Sequence, residues 1–596
     1  MAVYKTPLRD MQFVMNDVLD CNLHYQNIGA EDTTPEIVET VLEAAAKFIE
    51  NEVVPLYRSA DEQGCRWDNG QVVTPDGFIT AYQQFIANGW MGLSQPVEYG
   101  GQGLPFSLNY AVQEILLAGN PAFSTYPIAL WGAISTVCAH ASEELVERYV
   151  PSMVSGAWGG TMCLTESHCG SDLGLLKTKA EPDGDDSYRI TGTKIFITTG
   201  EHDMVENIVH IVLARLPDAP SGVKGISLFM VPKINVNDDG SLGSPNKVAC
   251  GSIEHKMGLN GSATCVMNFD GAKGYLIGVP NQGLNAMFTF INESRMAVAQ
   301  QGPATMERAY QGALAYAKER LQMRAPVRKL PDQPADPILV HPDVRRMLLT
   351  QKALAEGGRL MTFQCAQLLD VVKDSVKPDD VALAEKRLAL LTPIAKGFLS
   401  ELGQEAAALG VQVFGGHGYI REWGMEQIIR DARIATIYEG TTGIQGLDLL
   451  GRKVLAGEGA LLNLQVEEMR ECCLRCADTP RLQYFTSILN SKIQDWLQLT
   501  AKIAEKSHDS NEINAAGVDY LMFSGYTLMA YCWLLMAEAA QQAIDRGDES
   551  GFYHSKLKTA RFYYERILPR TLSHAQAALS GAEGLMAFED EDFCAE

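Results

Sequence analysis

The sequence predicts an α+β multidomain protein: a helical N-terminal domain, a central β-barrel-like domain, a four-helix bundle, and a further helical extension at the C-terminus. Three observations carry this. The 596 residues exceed what one hydrophobic core holds, so two to four domains are expected. Hydrophobic spacing changes from helical to alternating near Trp158 and returns to helical after Gly283. Beyond Gly457 a second helical block begins, its apolar residues again on single faces. The expected boundaries are 1–35 for an N-terminal extension, then 36–157, 158–280, 281–455 and 456–596.

Each element follows from local chemistry. Thr34-Pro35-Glu36 opens a helix with a hydroxyl cap, a proline at the first position and an acid in the first turn. Helical spacing then dominates to Glu147, apart from a glycine-rich loop at 96–107. Alternating runs at 188–199, 208–216, 225–231 and 265–269, separated by turn residues, predict strands. Residues 284–324 predict one long helix or two. The proline-rich stretch 327–342 is a loop, and helical spacing resumes over 344–372, 380–410 and 425–450. In the last block Phe485, Ile488, Leu489, Ile493, Trp496 and Leu499 share one helical face; 521–543 and 556–579 are patterned alike.

Composition excludes several functions. The net charge of −24, from 73 acidic against 49 basic residues, argues against nucleic acid as the main partner, because phosphate binding needs a basic face. Thirteen irregularly placed cysteines make no disulfide framework and point to a reducing compartment. The N-terminus carries Asp10, Asp17 and Asp20 and lacks the apolar core of a secretory signal. The uncharged run 520–537 meets the length of a membrane span, yet contains Ser524, Gly525, Thr527 and three tyrosines between acidic flanks. It is expected to be a helix buried among helices, not a span; peripheral contact with a membrane stays open.

The chain has no P-loop, no GxGxxG between strand and helix, and no GxSxG elbow. Cys473-Leu-Arg-Cys476, preceded by Cys472, lacks a second pair and a nearby histidine, so no metal is expected there. Three stretches are informative. In the first, 162–172 (MCLTESHCGSD), backbone amides near Gly170 and the hydroxyls of Thr165 and Ser171 suit a ring edge and a phosphate. In the second, 194–200 (KIFITTG), alternation puts Phe196 and Thr198 on one side of a strand, where a ring and a hydroxyl suit a flat heterocycle. The third joins 413–419 (VFGGHGY) to 430–445 (RDARIATIYEGTTGIQ). Here Glu439 precedes a glycine after the apolar run 434–438, surroundings expected to raise its pKa toward that of a base for a weakly acidic C–H. Singly, a polar loop, a strand-core phenylalanine and a helix-cap or ion-pair glutamate explain these stretches as well.

Together, LTES-x-x-GSD, KIFIT, FGGHGY and RDARI-x-x-IYEGT, in this order over 34–453, resemble the acyl-CoA dehydrogenase family. The length, the N-terminal KTPLRDM segment and the C-terminal extension are similar to its larger bacterial branch, which includes enzymes acting on methylmercaptopropionyl-CoA and on fatty acyl-CoAs. The resemblance implies FAD. It implies that Thr165 meets the pyrimidine edge of the flavin and Thr198 its reactive nitrogen, with Met162, Cys163, Leu164, Gly170 and Phe196 around them. Ser171 would lie where cofactor and pantetheine meet. Gln412, Gly415 and Gly416 would receive the adenylate half of a FAD bound mainly by a neighbouring subunit, with Arg320 and Gln322 reaching across and Thr441 beside the catalytic turn. A shared site of that kind implies a homo-oligomer, at least a dimer. Glu439 would take the α-proton of an acyl-CoA thioester, with Gly440, Asn292 and Arg295 near the substrate. An electron-transferring flavoprotein would accept the electrons, and a bacterial cytoplasm is the implied location.

Some family members carry the base on another helix, one residue before an arginine. Ser294 holds that position here, before Arg295, which favours Glu439; the adjacent Glu293 is turned away by about 100° of helix. Three departures stand out: Ser167 replaces the usual proline, Phe196 the common tryptophan, and Arg320-Leu-Gln-Met-Arg324 lacks the usual Phe-Gly pair. An acyl-CoA oxidase and a catalytically silent scaffold of the same fold are the alternatives.

Overall fold

The computed structural model describes residues 4–548 and 550–594. The chain divides into two compact units. One comprises Lys47–Asn109 and Gly119–Ala297; the other comprises Met1–Ala46, Tyr110–Ala118 and Val298–Glu596.

A seven-stranded mixed sheet forms the centre of the first. Its order is Trp158–Cys163, Asn207–Ala214, Ser227–Pro232, Thr264–Ile277, Ser187–Thr198 and Lys179–Pro182, with Val248–Ile253 also pairing along Thr264–Ile277. Trp158–Cys163 runs parallel to Asn207–Ala214; the other pairings are antiparallel. Every residue of Asn207–Ala214 and Ser227–Pro232 is buried, which is why both are mostly apolar, interrupted only by Asn207, His210 and Ser227. Val212, Phe229, Val231, Met267 and Phe269 pack in the core beside this sheet.

The terminal strands of that order, Trp158–Cys163 and Lys179–Pro182, do not pair with each other among the described residues, so the sheet is open and the expected barrel is not formed. Alternation reports which face of a strand is buried, not whether two edges meet. The helical reading of 36–157 also passed over a hairpin. Arg66–Asp68 pairs with Gln71–Val73 through Asn69-Gly70, whose φ angles of 48° and 89° suit an Asn-Gly turn.

The other unit is helical. Gly283–Glu319 is one helix, not two, and its residues from Val298 onward belong here. Pro342–Asp374 and Pro378–Phe414 follow, joined by a three-residue connection that makes them antiparallel neighbours. The continuous helix expected over 425–450 is broken. Met425–Ala432 and a 3-10 turn at Arg433–Thr436 lead into a bend, after which Thr442–Leu447 starts afresh. Glu439 and Gly440 have φ of 55° and 90°, which no right-handed helix accommodates.

The C-terminal helices pack on these. Ser510–Asp545 approaches Pro378–Phe414 so closely that a Cβ on Gly525 would lie 2.2 Å from the Phe398 ring. Trp533 Nε1 donates to Ala353 O at 3.2 Å. Among the described residues two helices could cross a membrane by length and composition, Pro121–His140 and Ser510–Asp545; their apolar windows are 72% and 94% buried inside the protein, as in core helices. A buried charge cluster centres on Arg359. It donates to Glu114 at 2.8 Å, to Glu307 at 3.0 Å and to Asp10, while Lys556 bridges Asp10 and Glu356.

Candidate active site

In the sheet-bearing unit, two of the three informative stretches meet. Thr165 O accepts from Ile195 N at 2.9 Å, tying the LTES loop to the KIFIT strand. Glu166 makes the tie firm. Its carboxylate accepts from Lys177 N, from Thr178 N and Oγ1, and from Lys194 Nζ at 2.9 Å; Lys194 also donates to Leu164 O. Burial alone would raise the Glu166 pKa, but the Lys194 ammonium and the Thr178 and Lys177 hydrogen bonds bring it down to about 2. Around this anchor Thr165 and Thr198 are half-buried, and Gly170 and Ser171 are exposed. Met162 and Leu164 are half-buried, whereas the Cys163 side chain lies in the sheet core, its thiol pushed up to about 12 by burial.

The strand carries an irregularity beside Phe196. A bulge opposite Val266 interrupts the two-residue alternation, so the buried positions are Lys194 and Ile197, three apart. Phe196 sits in this bulge at φ 60°, with 58% of its surface exposed. Phe196 and Thr198 both lie off the buried face, on either side of buried Ile197, as alternation predicts. An apolar ring held outward in a strained conformation offers a flat ring system a surface to cover, and the two threonine hydroxyls supply polar partners. This chemistry fits a flavin.

In the same unit Ser294 is buried, Asn292 is exposed, and Arg295 is half-buried. The rival base position therefore holds a hydroxyl packed into its helix surroundings.

In the helical unit the turn at Glu439 is built by buried side chains. Gln445 Nε2 donates to Glu439 O at 2.9 Å, and Lys396 Nζ donates to Gly440 O at 2.5 Å. Neither donor is exposed at all. The φ of Gly440 favours glycine, and a Cβ there would lie 2.6 Å from Gln445 Nε2, displacing the amide that holds the Glu439 carbonyl. Thr441 Oγ1 then caps Thr442–Leu447 by accepting from Ile444 N, and Thr442 Oγ1 donates to Glu401. Before the turn, Tyr438 hydrogen-bonds to Gln301. Burial raises the Tyr438 pKa, Gln301 opposes this, and the charge of Glu439 adds to it.

The other predicted residues of this unit gather at exposed backbone. Gln412, Gly415 and Gly416 are exposed where Pro378–Phe414 ends, and open space surrounds both glycines. Arg320 and Gln322 are exposed at the start of the proline-rich loop. Asp336 orders that loop. Fully buried, it accepts from Ala325 N, Lys329 N, Leu330 N and Arg328 Nε. Burial would raise its pKa, yet these donors hold it at about 2.

Among the described residues two groups of side chains have metal-ligand proximity. Glu166, His168 and Cys169 form one, but Glu166 is already committed to Lys194; Cys472, Cys476 and Glu538 form the other, where Glu538 pairs with Arg475 at 3.1 Å.

Sequence profiles identify the chain. Those described as the N-terminal, middle and C-terminal domains of acyl-CoA dehydrogenase match residues 35–157, 161–272 and 281–455, and one described as "Acetyl-CoA dehydrogenase C-terminal like" matches 465–589. The 3-methylmercaptopropionyl-CoA dehydrogenase of Ruegeria pomeroyi is 40% identical over 95% of this chain and 96% of its own. The chain belongs to the acyl-CoA dehydrogenase family. The broad-specificity linear acyl-CoA dehydrogenase FadE5 of Mycobacterium tuberculosis is 32% identical over the full length of both chains. The structure of Caenorhabditis elegans ACDH-11 in complex with C11-CoA shares the fold with a TM-score of 0.76 at 19% identity, covering 97% of this chain and 94% of its own. As an acyl-CoA dehydrogenase the protein is an FAD-dependent oxidoreductase acting on acyl-CoA.

Lys194, Lys396, Gln445 and Asp336 escaped sequence reasoning. Lys396 left a signal: it is the only charge between Arg387 and Glu401 on a helix otherwise apolar over that span. A lone cation in such a run is expected to be buried and paired.

Proposed function

We propose that this acyl-CoA dehydrogenase converts a saturated acyl-CoA to its trans-2-enoyl-CoA with Glu439 as the base. The observation that carries this is the Glu439 turn. A carboxylate residue is held at a left-handed φ of 55°, and the carbonyls of Glu439 and Gly440 are both gripped by fully buried donors. A left-handed φ at a residue with a side chain costs roughly 1–2 kcal/mol and persists where its surroundings enforce it.

Glu439 removes the α-proton. Its backbone amide donates to the thioester carbonyl and stabilises the charge that develops there, with Gly440 completing the turn. Bound FAD supplies the acceptor for the β-hydrogen and its electron pair. Thr165 and Thr198 would offer their hydroxyls to the flavin, Phe196 would cover it, and the backbone of Met162, Cys163 and Leu164 would help to hold its edge. Gly170 and Ser171 offer an amide and a hydroxyl where cofactor and pantetheine meet. Asn292 and Arg295 orient the thioester-bearing end of CoA. Arg320, Gln322, Gln412, Gly415, Gly416 and Thr441 serve the adenylate half of a cofactor shared with a second copy, which makes the enzyme a homodimer. The electrons leave to an electron-transferring flavoprotein in a bacterial cytoplasm. Similarity to the methylmercaptopropionyl-CoA and linear acyl-CoA enzymes supports a short thioether-bearing or straight-chain acyl group.

The test is anaerobic flavin bleaching by butyryl-, octanoyl-, palmitoyl- and 3-methylmercaptopropionyl-CoA. Native protein should bleach with at least one. Glu439→Gln should keep its flavin and bleach at least about 10²–10⁴-fold more slowly. Native-like bleaching by the variant would remove Glu439 from this role. Rapid reoxidation in air with stoichiometric peroxide would instead identify an oxidase.

A further inference from the structure

Lys396 sits where a lysine is costly. The Pro378–Phe414 helix buries it completely, and an ammonium taken from water must be compensated by good partners. Its Nζ is directed at the Gly440 carbonyl. Gln445, also fully buried, takes the preceding carbonyl of the same turn, that of Glu439. The segment carrying Gln445 packs on the helix next to Lys396: a Cβ on Gly397, the following residue, would lie 3.3 Å from Gln445 Cβ.

Two consecutive peptide planes are thereby fixed from two elements. Both residues of the turn are left-handed, at φ 55° and 90°. The first is not glycine and would relax toward the right-handed region if released. Releasing the first of these planes lets φ and ψ of Glu439 relax, which re-aims its side chain relative to its own backbone amide.

We infer that Lys396 and Gln445 are positioning residues that hold the Glu439-Gly440 turn in the geometry required for removal of the substrate α-proton. The inference rests on Glu439 being the base. It makes a distinctive demand: the pair should govern the rate of the chemical step more than substrate binding, because neither side chain is exposed to meet substrate. A misplacement of about 1 Å in an aligned site costs on the order of 10²-fold in rate.

The experiment is rapid-mixing bleaching of the flavin-loaded enzyme by the best acyl-CoA of the panel, recording limiting rate and half-saturation separately. Lys396→Met, which keeps length and loses the donor, should retain flavin and bleach about 10²-fold more slowly, with half-saturation within about threefold of native. Lys396→Arg, which restores a cationic donor, should recover much of the loss. A Lys396→Met limiting rate within threefold of native, or a change confined to half-saturation, overturns the inference. Should that variant lose its flavin, Gln445→Met carries the test without removing a charge: about tenfold slower bleaching at unchanged half-saturation is expected, and a native rate overturns the inference. Glu439→Gln in the same series separates the two ideas. If it bleaches normally, the base is misassigned; if it is inactive while the Lys396 and Gln445 variants behave as native, only the positioning role falls.

Discussion

Replacing Lys194 with methionine tests how the loop bearing Thr165 is held. The pair is buried, with Lys194 side-chain exposure 0% and Glu166 6%. Glu166 titrates at about 2 instead of its usual 4.5. A depression of that size corresponds to about 3 kcal/mol of native-state preference for the ionised form. Burial draws the Lys194 pKa down, which offsets part of this, so 3 kcal/mol is an upper figure for the intact pair. Removing one partner of a buried pair costs about 3–5 kcal/mol, because the other charge is stranded. Glu166 would keep three donors, Lys177 N and both groups of Thr178, which places the loss near the lower end. A domain of this size loses roughly 2–4 °C of Tm per kcal/mol, so Lys194→Met should melt about 6–12 °C lower at pH 7. Flavin release should follow the same shift, since Thr165 is fixed to the strand beside Lys194. The pH dependence has a definite sign. The folded pKa lies below the unfolded one, so the contribution of Glu166 is complete above about 4.5 and is lost as pH falls toward 2. The gap between native and variant should therefore narrow below pH 4.5. Melting and flavin-fluorescence curves from pH 7 to 3.5 measure both. A Tm within about 2 °C of native at pH 7, or a gap that does not narrow in acid, refutes the reasoning.

Two further variants probe the helical unit. Burial raises the Glu114 carboxyl to about 7 despite its bond to Arg359, and its Oε2 is buried without a partner. A raised pKa stabilises the fold below about 4.5, and that contribution is lost as pH climbs through 7. Glu114→Gln should therefore melt higher than native at pH 8, by about 1–3 kcal/mol, and match it near pH 5; equal pH profiles would contradict this. Asp336→Ala strands the donors that Asp336 gathers and should loosen the loop presenting Arg320 and Gln322. Titration of the apoprotein should show FAD binding at least tenfold weaker, on the order of 1.4 kcal/mol, with a native bleaching rate once saturated; an unchanged Kd would detach that loop from the cofactor.

Which features could be read in the sequence follows from the range of the forces involved. Asn207–Ala214 and Ser227–Pro232 were legible because burial on both faces demands apolar side chains at most positions, the polar exceptions Asn207, His210 and Ser227 being hydrogen-bonded. The long helices were legible because their caps and apolar stripes are local. Closure of the sheet was not, since pairing between edge strands depends on residues far apart in sequence. The bulge at Phe196 was hidden for a related reason: the extra residue is defined only against Val266 on the partner strand. Lys194, Lys396 and Asp336 could be recognised as charges in poor company, but their partners lie 28, 44 and 6 to 11 residues away.

The candidate site lies where local reading failed. Helical spacing runs through 425–450, and every apolar position argues for continuing the helix, yet the chain leaves it at 437–441. Local preference and final conformation conflict there because the turn is stabilised by donors outside it: Lys396, some 40 residues earlier, and Gln445 in the following helix. Such conflicts are expected where a fold gives up local stability for a required geometry. Glu439 as a letter before a glycine is weak information. Glu439 as a left-handed residue whose own and following carbonyls are both held by fully buried side chains is a physical statement, because each of those features costs free energy that an ordinary surface turn would not spend.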